Sequence, residues 1–287
     1  GPKSPATNLL TEVELTNMNP QELVDRIHNQ NNYKHRILYY GPSSSKDLLA
    51  TIEQYHQVPA TLKDIPAGNE YSYLETPATK VLVAPYEAKQ IYMAQISNLD
   101  KKYDPAIEPT RELYNEYFGG GMNSIVFQEM RETRGLAYSA WASIMPPSYL
   151  KYPYVLRTQI ATQNDKMAQA IDAFDEIINN MPESEAAFKL AKEAVLTNLR
   201  TSRTIKDEVL WKYIANKDLG VTEDRNKAIF EKVQDMTFAD LKAAQEQWIK
   251  DRKYTYCILG DLKDLDQDYL RKLGTVQIVS QKEMFGY

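Results

Sequence analysis

Arg131 and Tyr138 are the two residues of this sequence whose types and spacing best suit chemistry on a polar substrate. Arg131 lies four residues before Gly135, about 6 Å back along a predicted helix. Tyr138 lies three residues after Gly135, about 10 Å along a predicted strand. If the chain reverses at Gly135, both side chains can project from the same end of the layer. A guanidinium with five N–H donors and a phenol could then hold peptide carbonyls and stabilise a developing oxyanion.

A purely structural role for the same two residues is the alternative. An arginine in the last turn of a helix is favoured by the helix macrodipole alone. Tyr138 alternates with Ala140 and Ala142 along the predicted strand, as a half-buried aromatic residue would. Arg134, close by, is interpreted as a solvated charge at the helix end.

The surrounding segment, residues 118–139, reads Phe-Gly-Gly-Gly-Met-Asn-Ser-Ile-Val-Phe-Gln-Glu-Met-Arg-Glu-Thr-Arg-Gly-Leu-Ala-Tyr-Ser. It resembles the C-terminal domain signature of the pitrilysin, insulin-degrading-enzyme and mitochondrial-processing-peptidase family of zinc metallopeptidases, the inverzincins. In that signature a glycine-rich stretch precedes a helix carrying an arginine, and Gly-Leu-Ala-Tyr enters a strand. Arg131 and Tyr138 match the family's substrate-binding pair. The resemblance covers residues 70–277, including Asp218–Thr222 and the closing Gly260-Asp261.

The zinc-binding half of that family carries a His-x-x-Glu-His motif, with a second glutamate further on. This sequence has three histidines, His28, His35 and His56, and none is followed by x-x-Glu-His. The resemblance therefore implies no catalytic residue and no metal ligand in this chain, with zinc bound elsewhere in the parent enzyme. Glu53 and His56 share a helical face, as in carboxylate-bridged metal sites, but such a site needs ligands from further helices. We interpret them as a surface pair.

The glycine-rich segment Gly119–Gly121 does not suit phosphate binding. It lacks the Gly-Lys-Ser/Thr ending of a phosphate-binding loop, and it follows a predicted helix rather than a strand. We interpret it as a hinge, a flexible joint between two helices. The second helix is capped by Asn123 or Ser124 and stops at Gly135.

Composition narrows the class of protein. The 287 residues are 43% hydrophobic and 25% charged, as in globular proteins with a packed core. The net charge is −5 with Lys and Arg scattered among acidic residues, which disfavours nucleic acid as a partner. No apolar run is long enough to span a bilayer. The single cysteine, Cys257, lies in the apolar run Tyr254–Leu259 and is interpreted as a buried structural thiol.

The first two residues, Gly1-Pro2, are interpreted as the remnant of a cleaved purification tag. Such trimming would also have removed a signal peptide, so the sequence leaves the compartment unknown. The bacterial periplasm is the leading expectation if a signal peptide was removed.

An internal repeat organises the sequence. A helix, an apolar strand ending in glycine and a second helix follow one another at Met18–Leu23, Arg36–Tyr40 with Gly41, and Lys46–Tyr55. The same order recurs near the end at Met236–Leu241, Tyr254–Leu259 with Gly260, and Leu265–Leu273. This recurrence predicts two copies of one module.

The repeat predicts two regions. Residues 1–68 are expected to be the tail of a preceding module plus a linker, around Val58–Glu70, where prolines and a glycine interrupt a polar stretch. Residues 69–287 are expected to be a complete C-terminal module.

Within residues 69–287, strands and helices alternate. Strands are predicted at Lys80–Pro85, Gln90–Ile96, Leu136–Ile144 and Tyr154–Ala161. Helices are predicted at Glu108–Phe118, Ser124–Arg134, Met167–Met181 and Ser184–Asn216, the last with a break near Thr201–Thr204. Adjacent strands with helices packed on one face predict an α+β, two-layer module. The resemblance adds a mixed, mostly antiparallel sheet covered by helices on one face.

The resemblance also implies a function. The chain would be the substrate-binding C-terminal half of a zinc metalloendopeptidase that degrades unfolded peptides in a closed clamshell chamber, and it would be inactive alone. Its partners would be peptide substrates and a zinc-bearing N-terminal half, on the same parent chain or on a separate subunit. The alternative is a non-catalytic relative that acts as a scaffold or partner subunit.

Overall fold

The computed structural model describes residues 5–68, 71 and 73–286. The chain divides into two compact units. The smaller contains Gly1–Tyr71, Thr204–Ile214 and Lys282–Tyr287, and the larger contains Ser72–Arg203 and Ala215–Gln281.

The helices and strands are numbered in chain order. The α-helices are α1 (Glu12–Thr16), α2 (Pro20–Gln30), α3 (Ser45–Tyr55), α4 (Glu108–Phe118), α5 (Ile125–Phe127), α6 (Met167–Asn179), α7 (Glu185–Thr201), α8 (Glu208–Asp218), α9 (Arg225–Asp235), α10 (Phe238–Ala244), α11 (Gln267–Leu273) and α12 (Gln281–Phe285). The strands are β1 (Lys80–Pro85), β2 (Gln90–Lys102), β3 (Ser139–Met145), β4 (Pro153–Gln163), β5 (Thr255–Gly260) and β6 (Thr275–Ile278). Helices α5 and α10 continue as π-helices over Gln128–Thr133 and Gln245–Ile249, and short 3-10 turns lie at Pro5–Asn8 and Asn164–Lys166.

The larger unit is built on one six-stranded sheet with the order β3-β4-β2-β5-β1-β6. The pairs β3–β4, β4–β2 and β2–β5 are antiparallel, whereas β5–β1 and β1–β6 are parallel. The predicted α+β class with a mixed, mostly antiparallel sheet is therefore confirmed.

One face of this sheet forms the core with the helices. Along β2, Ile91 and Met93 are buried while Tyr92 between them is exposed, as alternation along a strand requires. Helical spacing of apolar residues over Met167–Met181 predicts one buried face, and α6 faces the core with Met167, Ala170, Ile171, Phe174, Ile177 and Ile178, while Met181 is partly buried after its end. Helix α4 has the predicted bounds and adds large aromatic side chains such as Phe118 to the same core.

A polar cluster lies between α6 and the sheet. Asp175 accepts hydrogen bonds from Gln95 Nε2 at 2.5 Å and from the Tyr256 hydroxyl at 2.6 Å. Gln95 in turn accepts a hydrogen bond from Thr158 at 2.7 Å. Burial raises the pKa of Asp175 to about 6, even though both bonds to its carboxylate act in the opposite direction. The fold therefore carries a carboxyl group whose ionisation opposes folding.

This pKa predicts a pH-dependent stability. The folded protein holds the Asp175 proton up to a pH of about 6, against 3.8 ordinarily, so ionisation weakens the fold as pH rises between these values. We expect the stability of Asp175→Asn relative to the parent to increase by about 2 kcal/mol between pH 4 and pH 7. Urea denaturation at both pH values measures this, and a difference that does not change with pH would contradict it.

Some sequence-based boundaries in the larger unit need correction, and β2 runs to Lys102 beyond its predicted end at Ile96. Strand β3 begins at Ser139 instead of Leu136, because the amides of Leu136 and Ala137 bond to Met130 of the preceding helix and not to β4. The long helix predicted from Ser184 consists of α7 and α8, and the predicted break between them is confirmed.

The strand predicted at Arg36–Tyr40 is wrong. These residues form no ladder, and the neighbouring contact within residues 5–68 is an isolated bridge between Tyr33 and Lys63. A strand persists only when its backbone groups are paired with neighbouring strands. The two helices of the predicted repeat are present as α2 and α3, with Asn19 and Ser44 as their N-caps.

The smaller unit has no core of its own in its described residues, none of which is buried. Helix α2 is amphipathic, yet Leu23, Val24 and Ile27 on its apolar face are 46%, 40% and 63% exposed. Apolar stripes of this kind are normally covered by another element. Throughout the described ranges, the helices are too short or too polar to cross a membrane.

Candidate functional site: the Arg131–Tyr138 turn

The turn between residues 130 and 138 is closed by its own backbone. The carbonyl of Met130 accepts hydrogen bonds from the amides of Leu136 at 2.9 Å and Ala137 at 3.2 Å. Gly135 makes the reversal with a φ of +58°, a conformation that glycine adopts without steric cost. The reversal expected from the sequence is therefore present.

Three further hydrogen bonds attach this turn to the sheet and to the start of α6. The Tyr138 amide donates to the carbonyl of Ala161 at 3.0 Å, and the Thr162 hydroxyl donates to the carbonyl of Leu136 at 2.5 Å. Lys166 Nζ donates to the carbonyl of Gly135 at 3.2 Å. Leu136 is buried beneath the turn, so the backbone under the two predicted site residues is held from several sides.

Arg131 and Tyr138 lie side by side. The Arg131 guanidinium carbon is 5.7 Å from the centroid of the Tyr138 ring and 5.0 Å from that of Phe127, within the range of cation–π contacts. Arg131 Nε is also 3.5 Å from a carboxylate oxygen of Glu132. Tyr138 is 74% exposed and the Arg131 side chain 47% exposed, so both can meet a bound molecule.

The helix that carries Arg131 begins at Ser124, whose hydroxyl caps the amide of Phe127, and changes to π-helical geometry over Gln128–Thr133. Such widened turns often occur at functional sites. Phe127 is not among the site residues predicted from the sequence, although its spacing of four residues from Arg131 places the two on one helical face. This spacing is the signal that could have revealed it.

Arg134 differs from its interpretation as a solvated helix-end charge. It donates to Glu176 on α6 at 2.8 Å and to Glu129 within its own helix at 3.4 Å. Arg134 therefore holds the site helix against α6, and Arg131 is left to face outward.

The glycine-rich segment is shaped by close packing at its first two positions. A Cβ atom on Gly119 would overlap the backbone of Ala142 on β3, and one on Gly120 would lie 2.8 Å from the carbonyl oxygen of Asn115. A Cβ atom on Gly121 would meet only the flexible end of Glu116, at 3.7 Å. The role of Gly119, Gly120 and Gly121 as a hinge stays a prediction.

The described residues contain no group of three or more His, Cys, Asp or Glu side chains that could hold a metal ion. The zinc centre of the resembled family therefore does not fit the described part of this chain. Cys257 is half-buried on β5, where burial raises the pKa of its thiol, so it lacks the lowered pKa of a reactive cysteine.

The left-handed conformation of Gly135 can be tested by substitution. We expect Gly135→Val to lower the free energy of unfolding by about 1–2 kcal/mol, because a β-branched residue is strained at this φ. A Cβ atom there would meet nothing within 4 Å, so the cost is conformational. Gly135→Asn is the matched control, since asparagine enters this region more readily. Equal losses for both variants in urea denaturation would contradict this interpretation.

The comparison with known families assigns this α+β module to a class of protein. A family model described as the peptidase M16 inactive domain matches residues 36–195, which is more than half of the chain. The chain belongs to this family. The resemblance to the C-terminal half of pitrilysin-type enzymes is thereby confirmed, and the module is of the non-catalytic type.

Solved structures show the same fold. A peptidase M16 inactive domain from Pseudomonas fluorescens aligns with 76% of this chain and 52% of its own length, at 19% identity and a TM-score of 0.59. A protease from Helicobacter pylori aligns with 87% of this chain and 61% of its own length, at 14% identity and a TM-score of 0.60. The periplasmic protease PqqL from Escherichia coli aligns with 77% and 24%, at 13% identity and a TM-score of 0.54. No curated protein matches the sequence. The aligned part of this chain thus spans about half the length of the first of these proteins. It spans less than two thirds of the length of each of the other two.

Proposed function

We propose that this chain is the substrate-binding C-terminal half of a zinc metalloendopeptidase that degrades unfolded peptides inside a closed chamber. The observation that carries the proposal is the exposed Arg131–Tyr138 pair, held side by side within the motif shared with the family. In this role the chain cannot cleave peptides alone. Zinc and the glutamate base would come from a second half, on the same parent chain or on a separate subunit.

The pair suits recognition of an extended peptide. A guanidinium carries five N–H donors, and the Glu132 contact involves Nε, so the terminal NH₂ groups of Arg131 can bind carbonyl or carboxylate oxygens. The Tyr138 hydroxyl adds a donor close by. In the assembled enzyme these groups would orient the substrate and support the negative charge that develops on its carbonyl oxygen. The rigid turn beneath them reduces the reorganisation needed on binding.

The smaller unit supports the proposal that a preceding module is part of the parent protein. Its described residues lack a core, and large apolar side chains such as Leu15, Ile27 and Trp211 are more than half exposed. In the parent protein we expect residues 1–68 to complete the module that precedes this one. The solved structure from Pseudomonas fluorescens, with about twice the aligned length, has room for such a module. A periplasmic location, as the name of the Escherichia coli neighbour states for that protein, stays a prediction here.

The proposal is tested by peptidase assays on quenched fluorescent peptides in the presence of zinc. We expect no cleavage by this chain alone and cleavage after mixing with its native zinc-bearing half. Cleavage by the chain alone would refute the proposal. Silence in both conditions would favour the non-catalytic relative, a scaffold or partner subunit.

The role of the pair is tested in the same active mixture. We expect Arg131→Ala to lower turnover by about 100-fold, a typical loss when a donor to a developing oxyanion is removed, with unchanged zinc content. Arg200→Ala is the matched control, because the guanidinium carbon of Arg200 lies 5.1 Å from the centroid of an aromatic ring, that of Phe230. This contact joins helices α7 and α9 and involves neither Arg131 nor Tyr138. Turnover of Arg131→Ala within about twofold of the parent would contradict the assigned role.

A further inference from the structure

Two of the three histidines meet in the smaller unit. His35 lies in the extended segment after α2, and His56 is the C-cap residue of α3. Their Nε2 atoms are 2.7 Å apart, and the two rings meet edge to face at 87°. The sequence places His56 on one helical face with Glu53, whereas the fold brings His56 to His35, 21 positions away.

The protonation of His35 is set by its other nitrogen. His35 Nδ1 is 2.6 Å from the backbone carbonyl of Tyr33, which can only accept a hydrogen bond. In the neutral ring Nδ1 therefore carries the proton, and Nε2 accepts a hydrogen bond from His56 Nε2 at 2.7 Å, so a shared ion would take the place of that proton. An imidazole oriented by a hydrogen bond from its second nitrogen to a carbonyl is the usual arrangement of a metal-binding histidine.

The geometry admits a shared ion. Two nitrogens that each lie about 2.05 Å from one ion are about 2.9 Å apart at a right angle and about 3.3 Å apart at the tetrahedral angle. The observed 2.7 Å is reached from these values by small rotations of the two rings. His35 is exposed and His56 half-buried, so an ion and water can reach the two Nε2 atoms.

The backbone around both residues is held in place. The isolated bridge joins Tyr33 and Lys63, where the Lys34 amide donates to the Lys63 carbonyl at 2.8 Å and the Lys63 amide donates to the Asn32 carbonyl at 2.8 Å. The His56 amide donates to the carbonyl of Ile52 at 2.8 Å and ends α3. Both imidazoles are thus presented by fixed segments.

We propose that His35 and His56 form a two-imidazole site for a late first-row transition ion such as Zn²⁺, with water completing the coordination. Imidazole favours Zn²⁺, Ni²⁺ and Cu²⁺, whereas Mg²⁺ and Ca²⁺ prefer oxygen ligands. Among the described residues, no third His, Cys, Asp or Glu side chain joins the pair. Binding would join two segments of a unit that has no core in its described residues. The proposal goes beyond the proposed function and does not depend on it.

The test uses the full chain and Zn²⁺ alone, with the Cys257→Ser substitution as background so that the thiol does not compete. Long-range ¹H–¹⁵N spectra resolve the three histidines. We expect Zn²⁺ to shift the Nε2 signals of His35 and His56 together and to leave those of His28, on α2, in place. Zn²⁺ should also slow amide hydrogen exchange around both residues.

Variants give the second readout. We expect His35→Gln or His56→Gln to weaken Zn²⁺ binding by at least about tenfold, and the matched control His28→Gln to leave it within about twofold. Circular dichroism checks that each variant keeps its helices. Equal shifts at all three histidines, no binding by the parent, or unweakened binding by His35→Gln would overturn the proposal.

Discussion

Replacement of Glu108 by alanine is expected to lower the free energy of unfolding by about 3–5 kcal/mol, the largest effect of any substitution considered for this protein. Glu108 is 1% exposed and lies at the start of α4. Arg111, itself 5% exposed, donates to it at 3.1 and 3.0 Å, and Arg225 on α9 forms an ion pair with it. Alanine would leave the buried guanidinium of Arg111 and the partly exposed one of Arg225 without their shared carboxylate.

The charge state of this cluster supports the expectation. Burial by itself would raise the pKa of Glu108, but hydrogen bonds from Arg111 and Tyr154 and the charge of Arg225 outweigh it, so the pKa lies below its ordinary value. The carboxylate is therefore ionised at neutral pH and stabilises the fold there. This stabilisation is lost as the pH falls through the lowered pKa.

Glu112→Ala provides the control. Glu112 also contacts Arg111, at 2.5 Å, but its side chain is 40% exposed, so the loss is expected to be at most about 1 kcal/mol. Urea denaturation at pH 7 compares the two variants. A loss of less than about 1 kcal/mol for Glu108→Ala would show that the buried cluster does not hold α4 and α9 together.

The second large effect is expected from Gly119→Ala, which should cost about 3 kcal/mol. Its Cβ atom would overlap the amide and carbonyl of Ala142, and the backbone of β3, which is held by its pairing with β4, cannot move aside as a side chain does. Asn115 on the same helix bonds to both backbone groups of Ile144 on β3, which keeps helix and strand in register. The added methyl group must therefore break one set of contacts.

Gly121→Ala is the matched control, because its Cβ atom would meet only Glu116 Oε1 at 3.7 Å. We expect thermal unfolding of this variant to match that of the parent. If Gly119→Ala were equally stable, the packing of α4 against the edge of the sheet would be looser than the structure has it. A large loss for Gly121→Ala would instead indicate that the whole segment is constrained.

Local patterns predicted much of the larger unit. The bounds of α4 and the buried stripe of α6 follow from helical periodicity, and strand β1 follows from a short apolar run ending at Pro85. Arg36–Tyr40 has a similar apolar run, yet it forms no strand. The two runs differ in their partner strands. Strand β1 pairs with β5 and β6, whereas residues 36–40 pair with no strand among the described residues. Pairing is a tertiary property that a run of apolar residues does not reveal.

The sequence by itself determined the family, the choice of Arg131 and Tyr138 as the candidate site pair, and the turn at Gly135. Each of these rests on residues close together in the chain. Only the tertiary structure decided how the groups meet. The 5.7 Å contact of Arg131 with the Tyr138 ring depends on the position of Tyr138 next to β4, where its amide donates a hydrogen bond to the carbonyl of Ala161. The same holds for the pairing of His35 with His56 and for the ion pair between Glu108 and Arg225, 117 residues apart. Such contacts form where packing of the elements places the side chains, and in the larger unit that packing is set by the burial of the whole core rather than by any local pattern.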